Sequence, residues 1–250
     1  MSASPALCAV AVMAKAPRVG DVKTRLVPPL HAEEAAALSG NFLADAAENI
    51  LAAAAQTSIA GYVAYAPAGS ESVFRSLLPP AIGLLPPRRE GLGASLFAAA
   101  ADLFAAGHEA VCLVNSDSPN LPTAALVAAA AALRPPGDRL VLGPAEDGGY
   151  YLIGLKAPHA RLFEDIAWST SEVLAQTRVR AASLGLDTVL LPTWYDVDDL
   201  RSLRRLLAEL KDGVGYAAPH TASYLRRLVA EDAGRRGLLV ARQTAPSDQR

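Results

Sequence analysis

Two kinds of apolar pattern take turns along the chain. LCAVAVMA at 7–14, IAGYVAYA at 59–66 and AVCLVN at 110–115 are short apolar runs of strand length. The unbroken first and third read as strands buried on both faces of a parallel sheet. Between and after them apolar residues recur at spacings of three and four, as in amphipathic helices. The segment at 31–55 predicts such a helix, with Glu33 and Glu34 in its first turn, where acids favour the dipole. The segment at 93–107 predicts another, closing on Gly107 as a C′ residue. Helices are also expected at 122–134 with proline near the first turn, at 170–185 with a Ser/Thr–Glu start, and at 196–210 opened by acids. Residues 139–155 read as two strands around a turn, and 187–192 as a further strand.

Strands alternating with helices predict an α/β domain whose largely parallel sheet is covered on both faces. No linker divides it. The reading is one domain over 1–212, followed by a C-terminal helix and a frayed tail within 213–250. Just over half of the 250 residues are apolar, enough for a sizeable core, and the net charge is −2. That balance excludes a global basic field for nucleic acid and a polybasic membrane patch. Cys8 and Cys112 both sit in strand-like runs and are expected as reduced core thiols. The first apolar run lacks a basic lead and is too short to span a bilayer, so no integral membrane association and a cytoplasmic location are expected.

Ligands of open α/β sheets bind outside the carboxyl ends of the strands, and the polar loops of this chain follow strands. After the first strand, VMAKAPRVGDVKTRL places Lys15, Arg18, Lys23 and Arg25 around Gly20. Lysine and arginine match phosphate oxygens, and glycine lets backbone approach a ligand, so the loop reads as a polyphosphate clamp. It is neither a Walker loop nor a G-x-G-x-x-G loop, and the alternative is a solvated surface loop. In NSDSPNLP at 115–122, Asp117 directly follows a buried strand and is fixed by Pro119 and Pro122. A lone carboxylate there suits Mg²⁺ or Mn²⁺ shared with phosphate, and Asp117→Asn is expected to leave folding nearly unaffected because Asn preserves part of a helix cap; the alternative is that Asp117 only caps the next helix. In EDGGYY, Glu146 and Asp147 precede two glycines that also favour a hairpin turn. DVDD offers Asp196, Asp198 and Asp199, of which one is expected to cap a helix. His31, His108, His159 and His220 have no ligand spacing and read as surface or capping residues.

The opening loop, together with NSDSPNLP, LGPAEDGGYYLIGL, IAWSTSEVLAQT and YDVDDLRSL, resembles the DUF2064 family over roughly residues 7–210. These are glycosyltransferase-like proteins of the GT-A superfamily, linked to arsenosugar biosynthesis. The chain is similar at a distance to 2-phospholactate guanylyltransferases and molybdenum-cofactor nucleotidyltransferases. The resemblance implies a nucleotide-diphospho-sugar transferase-like three-layer fold with a mixed, mostly parallel sheet and one metal-dependent nucleotide site. It implies Ala14, Lys15, Arg18, Lys23 and Arg25 as the nucleotide and phosphate loop, with Lys23 and Arg25 on the phosphates. Gly91 and Gly93 would let the base approach, and Ser116, Gly148, Gly149 and Tyr150 complete the expected nucleotide-binding set. Asp117 matches the superfamily's metal-binding acid, but Ser116-Asp117-Ser118 lacks the first acid of Asp-x-Asp. A second ligand must come from Asp147, Asp196 or Asp198; Asp198 is taken for the metal, and Asp147 and Asp196 for catalysis. The implied function is Mg²⁺- or Mn²⁺-dependent glycosyl transfer from a nucleotide sugar to a small-molecule acceptor. The alternatives are nucleotidyl transfer from an NTP and a non-catalytic nucleotide-binding partner.

Overall fold

The computed structural model describes residues 7–85 and 91–231. The polar tail expected at 233–250, the lead before Leu7 and residues 86–90, which precede Gly91, lie outside the described residues. Seven strands form one sheet: β1 (Cys8–Lys15), β2 (Ile59–Ala66), β3 (Gly83–Leu85), β4 (Ala110–Val114), β5 (Arg139–Pro144), β6 (Tyr150–Leu155) and β7 (Asp187–Leu190). Their order is β3-β2-β1-β4-β6-β5-β7. β1 to β4 pair in parallel, β6 runs antiparallel to both β4 and β5, and β7 returns parallel to β5. The sheet is mixed because β5 and β6 are joined by the short turn around Gly148, whereas the other neighbours are reached through helical crossovers.

Those crossovers are α1 (Ala32–Ala54), α2 (Glu71–Leu77), α3 (Leu92–Ala105), α4 (Thr123–Leu133) and α5 (Val173–Ser183), followed by α6 (Leu200–Asp212) and α7 (Pro219–Glu231). The side-chain alternation of β1 builds the layers. Val10 and Val12 point to a cluster with Ile50 of α1, Phe74 of α2 and Leu126 of α4. Ala9 and Ala11 point to the opposite cluster with Leu96 and Leu103 of α3 and Ala181 of α5. A third cluster joins Leu38 and Phe42 of α1 to Leu203 and Leu206 of α6 and Leu225 and Leu228 of α7. Each of the valine, leucine, isoleucine and phenylalanine side chains, fully buried, contributes about 1.5–3 kcal/mol relative to exposure. No helix among the described residues is long and apolar enough to cross a membrane.

The expected strands and long helices are present within a few residues of their boundaries. Two differences have local causes. α5 starts at Val173 without a side-chain cap, because Thr170 is spent in a turn, donating to the Ala167 carbonyl and accepting from the Glu172 amide. α6 starts at Leu200, since Asp199 caps it by accepting from the Ser202 amide at 2.8 Å, leaving Asp196–Asp198 in the approach. Cys8 and Cys112 are buried free thiols on adjacent strands, their sulfurs 3.9 Å apart. His108 is not a surface residue: it is buried, with its Nε2 2.9 Å from the Tyr62 hydroxyl.

Candidate functional site

β1 lies between β2 and β4, so the connections leaving β1 and β4 depart in opposite directions across the sheet. The carboxyl ends of these two strands flank the switch point where open α/β sheets form a crevice. The loop after β1 ends in a 3-10 turn at Thr24–Leu26, and the residue before that turn, Lys23, has a left-handed backbone with φ of 50°. Such a conformation costs a non-glycine residue roughly 1–2 kcal/mol. Here it turns the lysine inward: its side chain is only 4% exposed.

The Lys23 ammonium meets the acids rather than open space. Its Nζ lies 2.5 Å from Asp117 Oδ1 and 3.1 Å from Asp198 Oδ1, and donates to the Val197 carbonyl at 2.8 Å. Burial by itself pulls the lysine pKa down, but the two carboxylates overcome it and hold the ammonium above its ordinary value. The Asp117 loop and the Asp196–Asp198 segment are tied together by the Val197 amide, which donates to the Asp117 carbonyl at 2.8 Å. Asp117 does not cap α4, which is preceded by Pro122.

Asp196 completes the group. Its Oδ1 accepts from Asn115 Nδ2 at 2.5 Å and from Ser118 Oγ at 2.8 Å. Burial pushes its carboxyl up to about 6; the hydrogen bond from Ser118 opposes this, and the charges of Asp117 and Asp147 add to it. Asn115 therefore stands where Asp-x-Asp would have its first acid, and its amide orients a carboxylate instead of supplying one. Asp147 is exposed on the β5–β6 turn, where its Oδ1 accepts from the Gly149 amide at 2.8 Å.

The other expected residues divide. Lys15, Arg18 and Arg25 are exposed; Arg18 donates to Ser70 Oγ at 3.1 Å, and Lys15 and Arg25 have no ion pair among the described residues. Ala14 is buried in the cluster under α1, and Ser116 is half-buried beside Asp117. Gly91 precedes α3 with φ of 85° and open space where a Cβ would stand. Gly93 does not offer space to a base: a Cβ there would lie 2.7 Å from both the Phe163 carbonyl and Trp168 Nε1, so protein fills the position. Gly148, at φ of 90°, has the Ser171 carbonyl 2.2 Å from its would-be Cβ, and its role is to dock the turn on the segment before α5. Gly149 serves the same turn through its amide. Tyr150 packs on the α3–α5 side, and burial raises its hydroxyl well above the ordinary value with Thr177 beside it. Its contacts run to that layer rather than to the acids.

A second tier of polar residues carries no motif. Arg205 of α6 stacks 3.8 Å over the Tyr195 ring, pairs with Glu209 at 2.8 Å and grips both oxygens of Glu146 at 2.8 and 2.9 Å. Glu209 in turn accepts from the Tyr195 hydroxyl at 2.6 Å and from Asn120 Nδ2 at 2.9 Å. This chain of contacts fixes the Asp147 turn and the Asp117 loop to α6. The sequence signal for this tier is the spacing of Arg205 and Glu209, four apart on a helix.

Asp45, Glu48 and His220 also bring ligand atoms within 4.8 Å of one another. Asp45 is fully buried and accepts from the His220 and Thr221 amides at 3.0 and 2.8 Å. It caps α7 from α1, at a helix end whose positive dipole disfavours a cation. The Lys23 group fits a hard divalent ion better. Its donors are carboxylate oxygens from two tethered loops, and they already hold a cation, the ammonium, between them.

An acid group at the switch point of a mixed 3-2-1-4-6-5-7 sheet defines a protein of the nucleotide-diphospho-sugar transferase-like fold. A Desulfovibrio desulfuricans G20 protein, provisionally described as a nucleotide-diphospho-sugar transferase, matches over 90% of this chain and 96% of its own, with TM-score 0.80 and 27% identity. The family model for an uncharacterized protein conserved in bacteria (DUF2064) matches residues 49–170, bearing out the resemblance read from the sequence. That span holds Asp117 and Asp147; Lys23, Asp196 and Asp198 lie beyond it. CMP:2-keto-3-deoxy-manno-octonic acid synthetase, complexed with CTP, shares the fold at TM-score 0.54 and 12% identity, over 83% of this chain and 99% of its own. A cytidylyltransferase from Leptospira borgpetersenii does so at TM-score 0.53 and 10% identity, over 96% and 99%. No curated protein matches.

Proposed function

We propose that the chain is a metal-assisted transferase acting on a nucleotide-activated donor, with glycosyl transfer from a nucleotide sugar to a small hydroxyl-bearing acceptor as its reaction. The observation that carries this is the pairing of Asp117 and Asp198 around one buried cation at the switch point, with Lys15, Arg18 and Arg25 exposed on the same loop as Lys23. The 27%-identical Desulfovibrio protein supports it. Asp117 and Asp198 would hold Mg²⁺ or Mn²⁺, which supplies charge neutralisation for the departing phosphates. Lys15, Arg18 and Arg25 bind those phosphates from the rim. The acceptor oxygen bonds to the anomeric carbon as that carbon's bond to the phosphate oxygen breaks. The acceptor proton passes to Asp196, whose carboxyl near 6 suits a base at neutral pH, and the nucleotide leaves with the bonding electron pair. Among the described residues both side-chain hydrogen bonds to Asp196 engage Oδ1, which leaves Oδ2 for the proton. Asp147, held on its turn by Gly149, orients the acceptor. Two buried free thiols fit a reducing compartment, the cytoplasm.

A second reading, nucleotidyl transfer from an NTP with release of pyrophosphate, is favoured by the number of exposed cations, three on one loop. A panel of nucleotide sugars and NTPs with Mn²⁺ separates the readings. A donor at 100 times its dissociation constant adds about 2.7 kcal/mol of stability and is found by thermal shift. Transfer then releases a nucleoside diphosphate or monophosphate from a nucleotide sugar. Pyrophosphate from an NTP with no such product would replace the first reading by the second, and no stabilisation by any nucleotide would remove both.

A further inference from the structure

We propose that Lys23 is an exchangeable internal counter-ion, holding Asp117 and Asp198 together in the nucleotide-free protein and yielding its place to a divalent ion as donor phosphates arrive to receive it. This rests on the reading of Asp117 and Asp198 as metal ligands. An ammonium has three protons, and the Lys23 Nζ has three acceptors within 3.1 Å: Asp117 Oδ1, Asp198 Oδ1 and the Val197 carbonyl. Its donors are therefore fully used, and at 4% exposure the group has no face left for a phosphate. A lysine so engaged cannot at the same time belong to a phosphate clamp. Nor can a divalent cation join the two Oδ1 atoms while the ammonium touches both, because like charges in a buried site repel strongly.

The loop permits the exchange. Val19, Gly20 and Asp21 are exposed, and the space around Gly20 is open, so the segment leading to Lys23 can shift without disturbing core packing. The left-handed backbone of Lys23 is strained, so the present position of its side chain is held against a backbone cost. Removal of the ammonium alone would leave two adjacent carboxylates uncompensated, and entry of the metal alone would leave the ammonium without partners. The exchange is favourable only when the ion replaces the ammonium and a phosphate accepts the ammonium. Metal and donor thus raise each other's affinity by one common factor.

The test uses Mn²⁺ alone, with free Mn²⁺ read by electron paramagnetic resonance, on the wild-type chain and Lys23→Met. Methionine keeps the length and apolar stem and removes the competing charge. Lys23→Met should bind Mn²⁺ more tightly than wild type by at least about tenfold, and adding Asp117→Asn should abolish the gain. Equal or weaker binding by Lys23→Met would overturn the exchange and leave the metal reading standing. Absence of binding by both proteins would remove the metal reading itself. Should Lys23→Met not fold, wild-type protein decides: the ¹⁵N resonance of the buried Lys23 ammonium should be lost or shifted in step with Mg²⁺ and inorganic pyrophosphate added together, and an unmoved resonance at saturation would overturn the proposal.

Discussion

Asp117→Asn is nearly isosteric and leaves an acceptor beside Lys23, so it isolates the value of one charge. Lys23 is buried with two carboxylates and a carbonyl. Breaking a buried ion pair outright costs about 3–5 kcal/mol. Two features reduce that figure here: Asp198 still faces the ammonium at 3.1 Å, and the Asp117 side chain is 38% exposed, so solvent screens part of its charge. A loss of about 1–2 kcal/mol is therefore expected. For a chain of this size it lowers Tm by roughly 2–8 °C. This departs from the neutral effect that a helix-cap role would give, because α4 does not use Asp117 as a cap. The assay is a double-mutant cycle with Lys23→Met, read by thermal and urea unfolding in chelator-treated protein. The pair should show a coupling of about 1 kcal/mol or more. Additivity within about 0.5 kcal/mol would refute the contact as an energetic link.

Three further outcomes follow from the geometry. Asp196→Asn keeps the Oδ1 that accepts from Asn115 and Ser118 and removes a carboxylate whose folded pKa, about 6, lies above its unfolded value. A raised acid favours the fold while protonated and loses that advantage as pH rises from about 4 through about 6, so in urea melts of metal-free protein the variant should match wild type near pH 4 and exceed it by about 1–3 kcal/mol at pH 8. Gly148→Ala should cost more than about 2 kcal/mol, because its Cβ would meet the Ser171 carbonyl at 2.2 Å; Gly20→Ala, equally left-handed in open space, should cost only about 1 kcal/mol. Equal Tm shifts for the two would contradict this reading. Asp45→Ala should cost about 1–2 kcal/mol in chemical unfolding by orphaning the His220 and Thr221 amides, and it should leave Mn²⁺ affinity unchanged.

The sheet and its long helices were legible because their signals are local. β1 alternates between two apolar layers, and a run apolar on both faces has few other places to go. α2 and β3 were not legible: seven and three residues carry too little period to stand out, and their places are set by Phe74 packing beneath β2 and by pairing with Tyr62–Ala64. At the candidate site, the rule of strand carboxyl ends pointed to Asp117, Asp196 and Asp198, which the fold brings to one place. Roles were less visible. Asn115 and Ser118 look like ordinary turn residues until Asp196 is placed 81 and 78 positions away. Gly93 and Gly148 look like openings for a ligand, yet Trp168 and Ser171 fill the space beside them. A glycine permits close approach, and sequence does not state what approaches.

The same limit explains the cationic loop, whose four cations look equivalent as a string and are opposites in space. Lys15, Arg18 and Arg25 stay in solvent, where a charge is screened and can be offered to an incoming anion. Lys23 is folded under them into a site holding Asp117, Asp196 and Asp198. One ammonium cannot neutralise three carboxylates, and at neutral pH Asp196, near 6, is largely ionised. The inner site is therefore net negative while its rim is positive. On the proposed reading, a bare nucleotide at the rim would meet repulsion one layer deeper, and a divalent ion at the inner site would meet an ammonium already there. Under the proposed exchange the divalent ion would reduce the negative charge of the inner site and the released ammonium would join the rim cations facing the phosphates, so the separation of the four cations, rather than their number, would couple metal to donor.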